Sequence, residues 1–264
     1  MCRMLGYLGH TATLASLVET PAHSLERQSY EPKLQSALVN ADGWGAGWYL
    51  EGDPEPCLYR STAPIWADVN REHICRAVRS DCMLAAVRSS TDPLSLSLAN
   101  TQPFAAGRIA FLHNGFIRAF DRKVARRLRE SLGDEAYERL KGNTDSEHVF
   151  AAVLDEHARF DAEPARLADA VKGALSRVTE LVRQADTQAL LTLIVSDGEQ
   201  LIAARSSLGA EAPSLFYSSG PSPLAPGMVV ASEPLDDSTA WTEVPTGTLL
   251  VLERGSSPRR EALS

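Results

Sequence analysis

The chain has 264 residues, 44% hydrophobic and 23% charged, which is ordinary for a globular protein able to bury a sizeable core. Its formal net charge of −8 argues against nucleic acid as a partner, since nucleic acid selects a basic face. No stretch approaches the roughly 18 apolar residues of a membrane span, and no basic n-region with an apolar run opens the chain. Cys2, Cys57, Cys75 and Cys82 form no CxxC pair and keep no metal-ligand interval with His10, His23, His73 or His113. The expectation is a cytoplasmic protein without membrane contact, metal or cofactor.

In chain order, "CRMLGYLG" reads as a first strand, and "GWGAGWYL" as a strand whose glycines let something approach its backbone. "WADVNREHICRAVRS" has helical spacing at Val69, Ile74 and Val78. "CMLAAVRSS" and "GRIAFLHNG" read as buried strands that end in polar residues. Three helices follow: "DRKVARRLRESL", whose basic cluster is a solvated face; "TDSEHVFAAVLDEHARF", with Thr144 and Glu147 in capping-box spacing; and "ARLADAVKGALSRVTELVRQA". "ALLTLIVSDGEQLIAARSS" is a hairpin around Asp197-Gly198, followed by the strands "SLFYSS", "GMVVASEPL" and "GTLLVLERG". The tail "SSPRREALS" reads as loose. Strands, helices, then strands again, without βαβ alternation, predict an α+β fold with largely antiparallel sheets and helices on both outer faces. One domain over residues 1–264 is expected.

Cys2 is poorly placed for a core cysteine, because chain ends fray. Removal of Met1 would give it a thiol and a free α-amine, and an amine with a reference pKa of about 7.7–8.0 can take a proton near neutrality. Three polar motifs stand at strand or helix ends. Arg88, at the exit of "AVRSST", could hold a carboxylate through paired hydrogen bonds, or could be a surface arginine in a loose ion pair. In "FLHNGFI", Asn114-Gly115 is either a hairpin turn or a pair of oxyanion donors, the Asn114 amide and the Gly115 N–H. His113 beside them is either a base or simply hydrogen-bonded. In "GNTDSEHVF", Asp145 either helps to cap the helix or binds a substrate ammonium. Together these groups match a γ-glutamyl amide: opposite charges for the α-carboxylate and α-ammonium, and a thiol beside oxyanion donors for the γ-carbonyl.

The chain resembles the class II glutamine amidotransferases, the cysteine-type N-terminal nucleophile hydrolases. The resemblance is carried by "MC", "NADGWGAGWY", "RSST", "HNG", "TDSE" and "VVASEPL", in that order over most of the length. It implies a four-layer αββα sandwich, with Cys2 as nucleophile and its α-amine as base. It also implies that Arg88 binds the glutamyl carboxylate, Asp145 its amine, and Asn114 and Gly115 the oxyanion. Three positions depart from the common pattern: Arg3 stands where many members have glycine, Ala86 where many have histidine, and Ser89 where many have tryptophan.

No segment after Leu252 reads as a domain that would consume ammonia, so hydrolysis of a small-molecule γ-glutamyl substrate is expected. "MCRMLGYLG" and "NADGWGAGWY" are similar to the stand-alone branch acting in ergothioneine biosynthesis. Its members remove glutamate from a γ-glutamyl-cysteine conjugate of a trimethylated histidine, oxidised at sulfur. Trp44, Trp48 or Tyr7 could offer a cation–π face to that quaternary ammonium. Two other readings stand: a glutaminase subunit passing ammonia to a partner synthetase, and a non-catalytic binding module. Residues 91–104 are either a lid over the site or an ordinary surface loop.

Overall fold

Period-two alternation gives each central strand two apolar faces, and the architecture follows from covering both. The computed structural model describes residues 2–34, 39–90, 96–219 and 227–263. The first strands are β1 (Arg3–Thr13), β2 (Trp44–Trp48), β3 (Cys57–Ser61), β4 (Arg79–Val87), β5 (Phe104–Ala106) and β6 (Ile109–Ile117). Later come β7 (Ala189–Ser196), β8 (Gln200–Leu208), β9 (Phe216–Ser218), β10 (Gly227–Ala231), β11 (Thr242–Glu243), β12 (Thr248–Glu253) and β13 (Arg259–Ala262). Two sheets result, ordered β11-β9-β10-β1-β4-β2-β3 and β13-β12-β8-β7-β6-β5. The paired neighbours are antiparallel throughout.

Met4, Leu8, Leu84 and Val230 of the first sheet interdigitate with Leu112, Ile194, Leu201 and Leu250 of the second. The alternate residues Leu5, Tyr7, Met83 and Ala85 face outward, under Leu14, Leu17, Val18 and Leu25 on and around the short helices α1 (Ala15–Val18), α2 (Leu25–Tyr30) and α3 (Arg71–Ala77). On the other side lie α4 (Phe120–Lys123), α5 (Ala125–Glu130), α6 (Asp134–Glu138), α7 (Asp145–Ala158) and α8 (Leu167–Gln184). There Val149, Val153, Val171 and Leu175 cover Phe111, Leu193, Val195 and Ile202. Three apolar layers between four structural layers make this an αββα sandwich of the α+β class. Fully burying each large aliphatic side chain contributes about 1.5–3 kcal/mol.

Several local expectations are corrected. Asn114-Gly115 is not a turn: β6 pairs with β7 without interruption from Ala110↔Ser196 to Ile117↔Ala189. Val69 is 84% exposed and precedes α3, so it does not belong to a buried helical stripe. "DRKVARRLRESL" divides into α4 and α5 at Val124, which is buried. The tail is ordered as β13 against β12, where Lys172 reaches Glu261 at 2.8 Å. The hairpin at Asp197-Gly198 forms as read, with Gly198 at φ +93°. Close approach to β2 is also present: a Cβ on Gly45 would lie 2.3 Å from the Gln102 carbonyl oxygen. Of residues 91–104, the stretch 91–95 lies outside the described residues. The remainder forms a 3-10 turn at Leu98–Asn100 and leads into β5.

Candidate active site

Arg3 pairs with Val87, so the antiparallel register continued by one residue sets Cys2 opposite Arg88 at the end of the sheet. Met4 faces the space between the sheets, and Cys2, two residues earlier, shares that side. The Cys2 Sγ lies 3.9 Å from the Ser89 carbonyl oxygen. Arg88 is 8% exposed, and its backbone is fixed on both sides. Its N–H donates to the Gly43 carbonyl (2.8 Å) and its carbonyl accepts from the Asp42 N–H (2.9 Å). Asp42 in turn accepts from the Ser90 N–H at 2.7 Å.

The second sheet contributes an edge. β5 covers β6 only at residues 109–111, so on the side away from β7 the later part of β6 has no strand among the described residues. Arg118 N–H points toward β7, donating to the Gln188 carbonyl at 2.8 Å. By alternation the N–H groups of His113, Gly115 and Ile117 point to the open edge. His113 N–H is taken by Gln102 Oε1 at 2.5 Å, and Ile117 N–H by Asp145 Oδ2 at 2.6 Å. Gly115 N–H lies between them on the same edge. Glycine is demanded here on steric grounds, because a Cβ at this position would meet the Leu190 carbonyl oxygen and His113 Nε2.

Asp145 opens α7. Thr144 caps the helix, its Oγ1 accepting from Glu147 N–H at 3.2 Å. Glu147 does not close the capping box. It instead accepts from the N–H groups of Lys141 (2.8 Å) and Gly142 (2.7 Å), shaping the turn before the helix. Asp145 Oδ1 accepts from Ser146 N–H at 2.7 Å, which leaves the carboxylate spanning from α7 to β6.

Cys2, Arg88, Gly115 and Asp145 line one cavity of about 270 Å³, together with Ser89, Gln102, Asn143 and Ser146. Asn114 is not in that lining. It is fully buried on the inter-sheet side of β6, and both Nδ2 and Oδ1 lack a hydrogen-bond partner among the described residues. His113 faces away, into the helix layer. Its Nε2 is 3.0 Å from the Leu190 carbonyl oxygen and its Nδ1 2.8 Å from Ser146 Oγ. A carbonyl only accepts, so Nε2 carries the proton; Ser146 Oγ, beside Nδ1, also lies 3.3 Å from Asp145 Oδ1. Burial pushes the His113 pKa down, against the raising effect of Asp145. With both ring nitrogens engaged and the ring outside the cavity lining, it is a brace, not a base.

The aromatic cage is a correction. Trp44 and Tyr7 are completely buried on the helix-covered face of the first sheet, Trp48 packs against the same layer, and none lines the cavity. Their large apolar area is used in the core, with Trp44 Nε1 donating to Asp68 at 2.8 Å. Gln102, Asn143 and the paired amide Asn100 (Nδ2 to Asn143 Oδ1, 3.0 Å) were not singled out by sequence. A buried glutamine ahead of an apolar strand was the one available signal. Ser146 lies inside "TDSE", where its spacing is that of any serine in the first turn of a helix.

Two antiparallel sheets face to face between helix layers, with a thiol, a guanidinium and a carboxylate at one mouth, form an αββα amidohydrolase architecture. Residues 1–214 match the family model described as class II glutamine amidotransferases, and the chain belongs to that family. It is 34% identical over 272 residues to the gamma-glutamyl-hercynylcysteine sulfoxide hydrolase of Mycobacterium tuberculosis, covering 98% of this chain and 100% of that protein. It is 31% identical to a probable glutamine amidotransferase of Saccharomyces cerevisiae, covering 96% of this chain and 82% of that one. A glutamine aminotransferase class-II domain protein from Silicibacter pomeroyi superposes with a TM-score of 0.72 at 29% identity, each chain fully covered. No helix among the described residues is long and apolar enough to cross a membrane.

Proposed function

We propose that this enzyme hydrolyses a γ-glutamyl amide through Cys2, and that its substrate is γ-glutamyl-hercynylcysteine sulfoxide. The observation that carries the reading is the meeting of the Cys2 thiol, the Arg88 guanidinium, the Asp145 carboxylate and the open-edge Gly115 in one cavity. In this reading Arg88 pairs with the substrate α-carboxylate and Asp145 with its α-ammonium. Once Met1 is removed, the Cys2 α-amine takes the thiol proton as Sγ attacks the γ-carbonyl carbon. Gly115 N–H donates to the oxyanion from the cavity wall; Asn114 Nδ2, buried behind that wall and unpaired among the described residues, is the second donor in this reading, and preorganised donors of this kind supply a large part of a catalytic barrier's reduction. The scissile C–N bond breaks as the ammonium returns a proton to the leaving amine. Water then resolves the glutamyl-thioester to glutamate and free thiol.

The substrate assignment is supported by the names of the mycobacterial relatives, 34% and 32% identical over nearly the whole chain. The test is glutamate release from glutamine and from the sulfoxide conjugate, by wild type and Cys2→Ala. Preference for the conjugate, abolished by the substitution, is expected. Faster turnover of glutamine would assign a glutaminase instead. Full activity of Cys2→Ala would overturn the mechanism.

A further inference from the structure

Arg3 and Glu233 stand 230 residues apart and meet as an ion pair with no solvent exposure, Nη1 to Oε1 at 3.2 Å. Glu233 is the hub of this cluster. Its Oε2 is 2.7 Å from His23 Nε2 and 2.8 Å from Lys33 N–H, and its Oε1 accepts from Leu34 N–H at 3.1 Å. The preceding residue grips the same strand: Met4 N–H donates to Ser232 Oγ (3.1 Å) and Ser232 N–H to the Met4 carbonyl (2.9 Å). Arg3 Nη1 also lies 3.5 Å from Ser214 Oγ.

A buried ion pair is a poor stabiliser, since desolvation offsets most of the attraction and apolar replacements of similar volume are often neutral or better. Its position suggests another use. Arg3 is the first residue of β1, and the nucleophile stands one residue further out, where a strand end would otherwise fray. Arg3 projects to the helix side and Cys2 to the cavity, so anchoring one fixes the direction of the other.

We infer that Arg3 and Glu233 are positioning residues for Cys2, a clamp that holds the end of β1 so that Sγ faces the glutamyl site. This deepens the proposed function and rests on its assignment of Cys2. It also gives a purpose to the departure at residue 3 and to the "ASE" motif, neither of which touches the cavity. Arg88 and Asp145 are held by β4 and α7, so the clamp sets the nucleophile without setting substrate affinity.

The experiment compares wild type with Arg3→Met, Arg3→Lys and the double variant Arg3→Met/Glu233→Leu. Readouts are kcat and KM for glutamate release, the dissociation constant of glutamate, its protection of Cys2 against iodoacetamide, and Tm. For Arg3→Met, kcat falls ten- to a hundredfold while KM and glutamate affinity stay within twofold, and protection of Cys2 drops severalfold. Arg3→Lys returns kcat to within fivefold of wild type. The double variant recovers Tm but not kcat. Recovery of both in the double variant, or unchanged protection in Arg3→Met, would overturn the clamp. If glutamate fails to protect Cys2 even in wild type, the assignment of Cys2 falls and the clamp falls with it.

Discussion

Gln102 and His113 exchange two hydrogen bonds, side chain to main chain. Gln102 Nε2 donates to the His113 carbonyl at 2.9 Å, and His113 N–H donates to Gln102 Oε1 at 2.5 Å. Phe104 pairs with Phe111, so two residues beyond in each direction a side chain does the work of the missing strand. Gln102→Ala therefore leaves two buried backbone groups unpaired. Chemical denaturation is expected to show a loss of about 1–3 kcal/mol. An unchanged midpoint would mean that water satisfies the edge equally well.

Asn114 supplies the opposite kind of test. A buried amide with neither atom bonded is a standing cost to the fold. Asn114→Leu is expected to match or exceed wild-type stability while kcat falls about 10²–10³-fold, the usual effect of losing one oxyanion donor. Equal kcat would remove Asn114 from the oxyanion site.

Arg88 and Asp145 are read as opposite-sign anchors for the glutamyl group. Arg88→Lys loses the planar fork and Asp145→Asn the charge. Each is expected to raise KM about tenfold or more, roughly 1.4 kcal/mol, in steady-state glutamate release. Asp145→Asn keeps an oxygen for the Ile117 N–H but turns its NH2 on the Ser146 N–H, so a modest fall in Tm should accompany the KM effect.

Stability should also fall in mild acid. Burial lowers the pKa of both His113 and His148, the latter accepting from Arg129 Nε at 2.8 Å, so the folded state holds both rings neutral. The unfolded chain protonates near the ordinary value of about 6.5. Unfolding thus binds more protons below that pH, and the two rings' contribution is full above it and lost as pH falls toward their folded values. Denaturation midpoints between pH 7.5 and 5 measure the slope, which His113→Asn should reduce. A flat profile in wild type would contradict the burial of these rings in neutral form.

Much of this molecule was legible in its residues because apolar alternation dictates layering. Met4 and Leu5 occupy successive positions and belong to different cores. In "HNG" a turn stays open beside the oxyanion reading because a turn preference is local, whereas the strand conformation that excludes it comes from pairing with residues 189–196. The same holds for the tail, which is ordered only by β12. Tyr7, Trp44 and Trp48 suggested a cage, but a strand sends side chains to both faces and these lie on the far one. Gln102, Glu233 and Arg3 act through partners 11 to 230 residues distant, and such pairings leave no trace in local spacing.

The open edge of β6 has a further consequence, for association between molecules. Exposed strand edges invite a second chain to add on, which is how many sheet proteins aggregate. Here Gln102 and Asp145 occupy the amides on either side of Gly115, leaving a vacancy one residue long. A foreign strand needs a run of alternating donors to pair, and among the described residues this stretch of edge offers one. The side chains that flank the proposed oxyanion donor thus also shorten the stretch of edge that another chain could pair with.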